Sequence, residues 1–187
     1  AVVADAAAAI GVTYKGRPIG ELADLTVYSF NGNKTITSGG GGMIVGRDDL
    51  VKRAKHLSST ARVGRDYDHD EVGFNYRMTN VEAAIGCAQF ERLEEFLAVK
   101  KRVRQGYDSA FSGINSAAPF PVPSDRETAY WFSGLVFTGD HPPVVNDLCD
   151  GLKALGVEAR PFWKPVHFQK PYKDAPREPL PVTEDLW

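Results

Sequence analysis

Two strand-like runs on either side of a glycine block restrict this chain more than any other feature. Leu25-Thr26-Val27-Tyr28-Ser29-Phe30 is β-branched and aromatic, and Met43-Ile44-Val45 follows four consecutive glycines, Gly39 to Gly42. Between them lies the polar turn Asn31-Gly32-Asn33-Lys34-Thr35-Ile36-Thr37-Ser38. A lysine is thereby placed on a strand-to-strand connection, where backbone without side chains lets a ligand approach closely. The tetraglycine alone is weak evidence. No Gly-Lys-Ser/Thr follows it, so it is not a P-loop. The strand-glycine-helix order of a dinucleotide fingerprint is also missing.

The flanking segments supply further elements. Ala1 to Ala4 reads as the end of a buried strand closed by Asp5, and Asp5 to Ile10 as a short helical stretch stopped by Gly11. Tyr14 to Gly20 is turn-rich, and Asp48 to Leu57 is helix-like. Ser58 to Asp70 is polar and predicts a surface loop. Thr79-Asn80-Val81-Glu82 is a capping box, followed by Val81, Ala84, Ile85, Ala88, Leu93, Phe96 and Leu97 at helical spacing. That pattern predicts one helix running through Tyr107 to Phe111. Prolines gather at Ser116 to Arg126, which predicts a domain boundary there, with one domain over 1–115 and a second over 116–187. In the second, Tyr130–Phe137 reads as a strand, Pro142–Leu155 as a helix with Val145, Leu148, Leu152 and Leu155 inward, and Val157–Phe162 as a strand. Strand, helix, strand points to a small α+β unit.

Composition removes several function classes. The 22 basic and 24 acidic residues are interspersed, for a net charge of −2, so neither nucleic acid nor an anionic membrane is the expected partner. No apolar run reaches the length of a membrane span. Cys87 and Cys149 have no metal or redox spacing and read as buried free thiols in a reducing cytoplasm; no metal is expected. The chain starts inside an apolar run without methionine and stops as a helix begins at Thr183-Glu184-Asp185-Leu186, so it reads as an internal piece of a longer protein.

A lone loop lysine is by default a solvated surface residue. Asp5, closing a strand before a helical stretch, is by default an N-cap, although strand ends in open α/β sheets are also where ligands bind. Together, Lys34, Asp5 and Ser29 are what pyridoxal phosphate asks of a protein. The lysine forms the Schiff base, a carboxylate holds the pyridine nitrogen protonated, and hydroxyl and backbone donors take the phosphate.

These residues, with Glu71-Val72-Gly73-Phe74-Asn75-Tyr76-Arg77-Met78-Thr79-Asn80 and Ala159-Arg160-Pro161-Phe162-Trp163-Lys164-Pro165-Val166-His167 downstream, resemble the DegT/DnrJ/EryC1/StrS sugar aminotransferases. The form Phe30-Asn31-Gly32-Asn33-Lys34 with its tetraglycine is most similar to the subgroup acting on UDP-linked 4-keto-6-deoxy amino sugars in surface-polysaccharide pathways. The resemblance covers essentially the whole chain. It implies an α/β fold-type I pyridoxal phosphate-dependent transferase: part of the large-domain mixed sheet flanked by helices, with the long connecting helix, then an incomplete small α+β domain. It implies Lys34 as the Schiff-base lysine and proton carrier, Asp5 as the pyridinium partner, Ser29 on the cofactor phosphate, and Asn75 on the phosphate of the neighbouring subunit's cofactor in a homodimer with shared sites.

The reaction so implied moves an amino group from an amino acid, glutamate by expectation, to a nucleotide-linked keto sugar, in the cytoplasm. Arg77, Arg160, Lys164 and His167 are charge candidates for the sugar nucleotide, although His69 and His167 read first as satisfied polar residues, with contact to the sugar or nucleotide diphosphate as the alternative for each. Ala8 stands where the family usually carries Gln or Glu against the cofactor's phenolic oxygen. Family members are about twice as long. A pyridoxal phosphate-dependent sugar dehydratase is the alternative enzyme, although relatives of that kind replace the lysine with histidine. A non-catalytic or degenerate relative is the alternative outside enzymes.

Overall fold

The computed structural model describes residues 1–138 and 142–187. In chain order the elements are β1 (Val3–Asp5), β2 (Thr13–Tyr14), β3 (Arg17–Pro18), β4 (Leu25–Ser29), β5 (Gly42–Gly46), α1 (Asp48–Ser58), β6 (Arg62–Val63), β7 (Asp68–His69), α2 (Asn80–Phe90), α3 (Leu93–Phe111), β8 (Ala117–Pro119), β9 (Arg126–Glu127), β10 (Leu135–Phe137), α4 (Val145–Ala154) and α5 (Pro181–Leu186). They form two compact units: residues 1–110 with 120–133, and 111–119 with 134–187.

The first unit is organised by β4. β1 lies parallel to it, with Val3 opposite Leu25 and Asp5 opposite Val27, and β5 lies antiparallel on its other side, with Ser29 opposite Gly42. Backbone bonds from Leu25 N–H to Val2 O and from Ala6 N–H to Val27 O extend the parallel ladder at both ends. Gly42 is dictated by this pairing, because a Cβ there would fall on the Tyr28 carbonyl oxygen. Thr26, in the middle of β4, is fully buried, as is Ile36 in the connection that follows. Arg47 fastens the sheet to α1 by reaching Asp24 at 3.1 Å and Asp49 at 2.7 Å.

A second small sheet joins β2, β3 and β9. The β2–β3 hairpin turns through Lys15 (φ 49°) and Gly16 (φ 74°), the doubly left-handed geometry of a type I′ turn. Thr13 then pairs with Glu127 and Tyr14 with Arg126. A single domain cut after residue 115 therefore does not describe the division: residues 120–133 belong to the first unit, recruited by the β2–β9 ladder.

Several local expectations change in the structure. The stretch after Asp5, which itself ends β1, is a run of turns, not a helix. It has bonds from Ala9 to Ala6 and from Val12 to Ala9, and too few residues to offset the cost of helix nucleation. The long helix is two helices. Arg92 N–H bonds Gln89 O, three residues back, and that tightened turn ends α2 before α3 begins. The capping box is present as read, with Glu82 N–H donating to Thr79 Oγ1 and Thr79 N–H donating to Glu82 Oε2. The apolar face behind it is not buried in this chain: Val81 is 71% and Ile85 47% exposed. Cys87, on the same helix, is exposed rather than buried.

The second unit pairs β10 antiparallel to β8, Phe137 opposite Ala117, and also contains α4. α4 stops where Gly156 takes φ 80° and Val157 N–H bonds Leu152 O. On α4, Leu148 and Leu152 are half-buried, whereas Leu155 is exposed. Only Leu135–Phe137 of the predicted 130–137 strand is extended in a ladder, because Tyr130 adopts φ 45° and turns the chain away. Val157–Phe162 forms no strand among the described residues. None of the helices described is long and apolar enough to cross a membrane.

Candidate active site

Asp5 ends β1 and Ser29 ends β4, and the two strands run parallel with Asp5 in register with Val27. Residues in register share a face, and so do residues two apart on one strand, so Asp5 and Ser29 stand on the same face at the carboxyl edge. That edge is where open α/β sheets receive ligands. Asp5 is not an N-cap. Its Oδ1 accepts the Ala7 N–H at 3.0 Å, which fixes the carboxylate at the strand end. Ser29 Oγ accepts the Asn31 N–H at 3.3 Å.

Lys34 follows on a turn closed by its own N–H, which donates to Asn31 O at 3.0 Å. The connection beyond folds back on Phe30. Its N–H donates to Gly41 O, and its carbonyl accepts from Ser38 N–H and Thr37 Oγ1, each at 3.0 Å. Thr37 Oγ1 in turn accepts the Gly39 N–H at 2.9 Å, and Gly39 takes φ 87° to complete the bend. Phe30, Ile36 and Ser38 are buried beneath this loop, with Ile36 only 1% exposed. The loop is thus a rigid platform rather than a flexible glycine linker. Lys34 Nζ rests over the ring of Trp131, 3.7 Å from its centroid, and the Trp131 indole N–H donates to Asn33 O at 2.6 Å. Spacing did not single out Trp131, which the sequence places inside a strand; its flanking aromatics, Tyr130 and Phe132, were the available signal.

Asn75 and Arg77 are exposed on a segment laid against the end of α1. Phe74 N–H donates to Leu57 O at 2.7 Å, Tyr76 N–H to Ser58 O at 3.0 Å, and Asn75 bridges Ser59. Glu71 secures the segment through a bidentate pair with Arg53, and that guanidinium holds its carboxyl below the ordinary range. His56 Nε2 lies 2.7 Å from Asp70 Oδ1 and 3.4 Å from Glu71 Oε1. Among the described residues His56, Asp70 and Glu71 are close enough to share an ion, but their ligand atoms are committed to these pairs. His69 Nδ1 lies 2.7 Å from Thr60 O, a satisfied polar contact.

In the second unit Arg160 is exposed and paired with Glu158 at 2.5 Å, which keeps that carboxyl below its usual range. Lys164 Nζ sits 5.6 Å from the Trp187 ring centroid. His167 is buried, 8% exposed, with Nε2 3.0 Å from Glu184 Oε1 and its ring edge-on to Phe168. Its surroundings are those of a packed histidine, unlike the exposed Arg160.

The site set fits pyridoxal phosphate by its donor chemistry: an amine on a rigid turn, a carboxylate on the adjacent strand end, a hydroxyl and exposed backbone. Ala8 is half-buried in the turn after Asp5 and brings no polar group. The fold is that of α/β transferases built on a mixed sheet. It superposes on the aminotransferase TlmJ from Streptoalloteichus hindustanus with a TM-score of 0.87 and 28% identity, over 97% of this chain and 49% of that one. Spr1654 from Streptococcus pneumoniae, solved in a PLP-form, superposes with a TM-score of 0.85 and 28% identity over 92% of this chain and 46% of that one. The chain belongs to the DegT/DnrJ/EryC1/StrS aminotransferase family, whose model matches residues 1–187. It is 39% identical to the GDP-perosamine synthase of Caulobacter vibrioides over 98% of this chain and 50% of that protein. It spans about half the length of the curated relatives it matches.

Proposed function

We propose that the protein to which this chain belongs is a pyridoxal phosphate-dependent aminotransferase acting on a nucleotide-linked keto sugar in glycan biosynthesis. The observation that carries this reading is Lys34 on a self-closed loop, anchored by buried Phe30, Ile36 and Ser38, at the sheet edge shared by Asp5 and Ser29. The bound cofactor would supply an electron sink for the carbon that gains or loses the amino group. Asp5 would hold its ring nitrogen protonated, and Ser29 with nearby backbone N–H groups would hold its phosphate. Lys34 would attach it covalently and, once released, move a proton between substrate and cofactor carbons.

The relative from Caulobacter carries GDP in its name, so the reading names a nucleotide-linked sugar and does not restrict it to UDP. Glutamate is the proposed amino donor. A homodimer is proposed because Asn75 and Arg77 are exposed beside the exposed apolar residues Val72, Phe74 and Tyr76. On that reading Asn75 meets the cofactor phosphate of a second copy, while Arg160 and Lys164 contribute charge toward the sugar nucleotide. A cytoplasmic setting agrees with the two free thiols.

The test uses purified full-length protein. It should be yellow, and borohydride reduction followed by peptide mapping should place the cofactor on Lys34; Lys34→Ala should remove both signals. Glutamate should then bleach the colour. A protein left colourless by added cofactor overturns the enzyme reading, and a yellow protein that no amino donor bleaches points to the dehydratase.

A further inference from the structure

Trp131 meets the Lys34 turn in two ways, and neither follows from packing alone. Its indole N–H donates to Asn33 O at 2.6 Å, the carbonyl immediately before Lys34. Its ring face receives the Lys34 ammonium 3.7 Å from the centroid, well inside the range of a cation–π contact. The tryptophan is itself held from behind. Lys100 Nζ on α3 donates to the Trp131 carbonyl at 3.2 Å, and Phe132 stacks on the ring with centroids 4.1 Å apart. Ala129, two residues earlier, is buried, and Tyr130 takes a left-handed φ of 45°, which breaks the strand and sends Trp131 toward the turn. A backbone strained at a non-glycine residue is held by its surroundings, and the Lys34 pair is among the contacts made at this bend.

We propose that Trp131 is a positioning residue for Lys34. It fixes the turn through Asn33 and gives the free amine a defined seat on the indole face. This rests on the reading of Lys34 as the cofactor lysine and deepens it. A lysine side chain has several rotatable bonds and loses much freedom when ordered. During turnover the amine must leave the cofactor, carry a proton and return. An amine seated on Trp131 stays at the sheet edge between these events instead of moving into solvent.

Two measurements on the full-length protein test this, with Trp131→Leu removing both contacts and Trp131→Phe restoring an aromatic face without the N–H. The first needs no cofactor. In cofactor-free protein, acetylation of Lys34 is measured against the exposed Lys52 by mass spectrometry. The ratio should rise about threefold in Trp131→Leu, as expected for loss of a contact of this kind, and rise less in Trp131→Phe. The second is turnover. In Trp131→Leu, kcat should fall roughly 3- to 30-fold while KM for the amino donor stays within about twofold, with partial recovery in Trp131→Phe. Attachment of cofactor at Lys34 should also quench tryptophan emission in the wild type more than in Trp131→Phe.

An unchanged acetylation ratio in a folded Trp131→Leu protein overturns the seat. A kcat that is unchanged or raised overturns its use in the reaction. If the wild type attaches no cofactor at Lys34, the aminotransferase reading and the catalytic use both fail. The acetylation ratio then still decides whether Trp131 covers the amine.

Discussion

Two segments that carry candidate residues of the first unit, the loop of Lys34 and the stretch of Asn75 and Arg77, are built on opposite principles. The Lys34 loop closes on itself: Phe30 exchanges backbone bonds with Ser38 and Gly41, and Ile36 is buried beneath it. The segment from Glu71 to Met78 instead lies along α1, held by backbone bonds to Leu57 and Ser58 and by the Arg53–Glu71 pair, with Val72, Phe74 and Tyr76 exposed. One is finished within this chain. The other presents an unfinished apolar surface. A residue proposed to form a covalent bond, such as Lys34, needs a fixed origin, whereas a residue such as Asn75, proposed to act on a second copy, must remain on the outside.

The contrast is most open to attack through substitutions of apolar residues, compared in one and the same isolated chain. Ile36→Ala should cost about 2–5 kcal/mol in urea unfolding, because the site is closed on all sides and a cavity is left. Phe74→Ala in the isolated chain should cost less than about 1 kcal/mol, since the ring is 47% exposed there. Equal costs would break the distinction. Thr79→Ala comes next, at about 1 kcal/mol from loss of the capping box. Hydrogen exchange should quicken at the Ala83 amide, which bonds Thr79 O, and stay unchanged at Ser38.

Acid gives a smaller and more selective effect. The Glu71 carboxyl is depressed by Arg53, and the Glu82 carboxyl by the Thr79 N–H and hydroxyl. A depressed carboxyl contributes stability that is present above its unfolded pKa and is lost as pH falls through its lower folded value. Exchange at the Phe74, Tyr76 and Ala83 amides should therefore accelerate in that acid window before exchange at Phe30 or Ser38 does. Loss of protection at all of these amides together would remove the difference. Smallest of all, 1 M salt should loosen the Glu71 segment slightly, because exposed pairs such as Arg53–Glu71 are screened, and leave the Lys34 loop as it was.

Much of the fold was legible where local chemistry decides the outcome. The strands around the glycines, the Asp48 helix, the capping box at Thr79 and the stop at Gly156 each carry their own signal. Elements set by distant partners were not legible. Tyr130 to Phe137 has the composition of a strand, yet Trp131 is drawn to Lys34 and only Leu135 to Phe137 pairs. Asp5 to Ile10 has helix-forming alanines, yet Asp5 ends β1 and the residues after it form turns. For the proposed site, Lys34, Asp5 and Ser29 could be put forward as candidates from residue type and order. Trp131 could not, since its role depends on a left-handed Tyr130 and a turn far away in sequence. Arg160 and His167 looked alike by charge, and only burial separates them.

The β2–β9 ladder has a consequence for how the protein is made. Thr13 and Tyr14 leave the ribosome before their partners Glu127 and Arg126, which arrive only after all of α1, α2 and α3 have been synthesised. Trp131 follows a few residues later still. The Lys34 loop can close early because its bonds are local, while its amine stays unseated until the chain has passed the helices and returned. Translation therefore supplies the residues of the platform first and the aromatic ring on which the Lys34 amine rests last, an order in which the earlier segments wait for later ones to complete them.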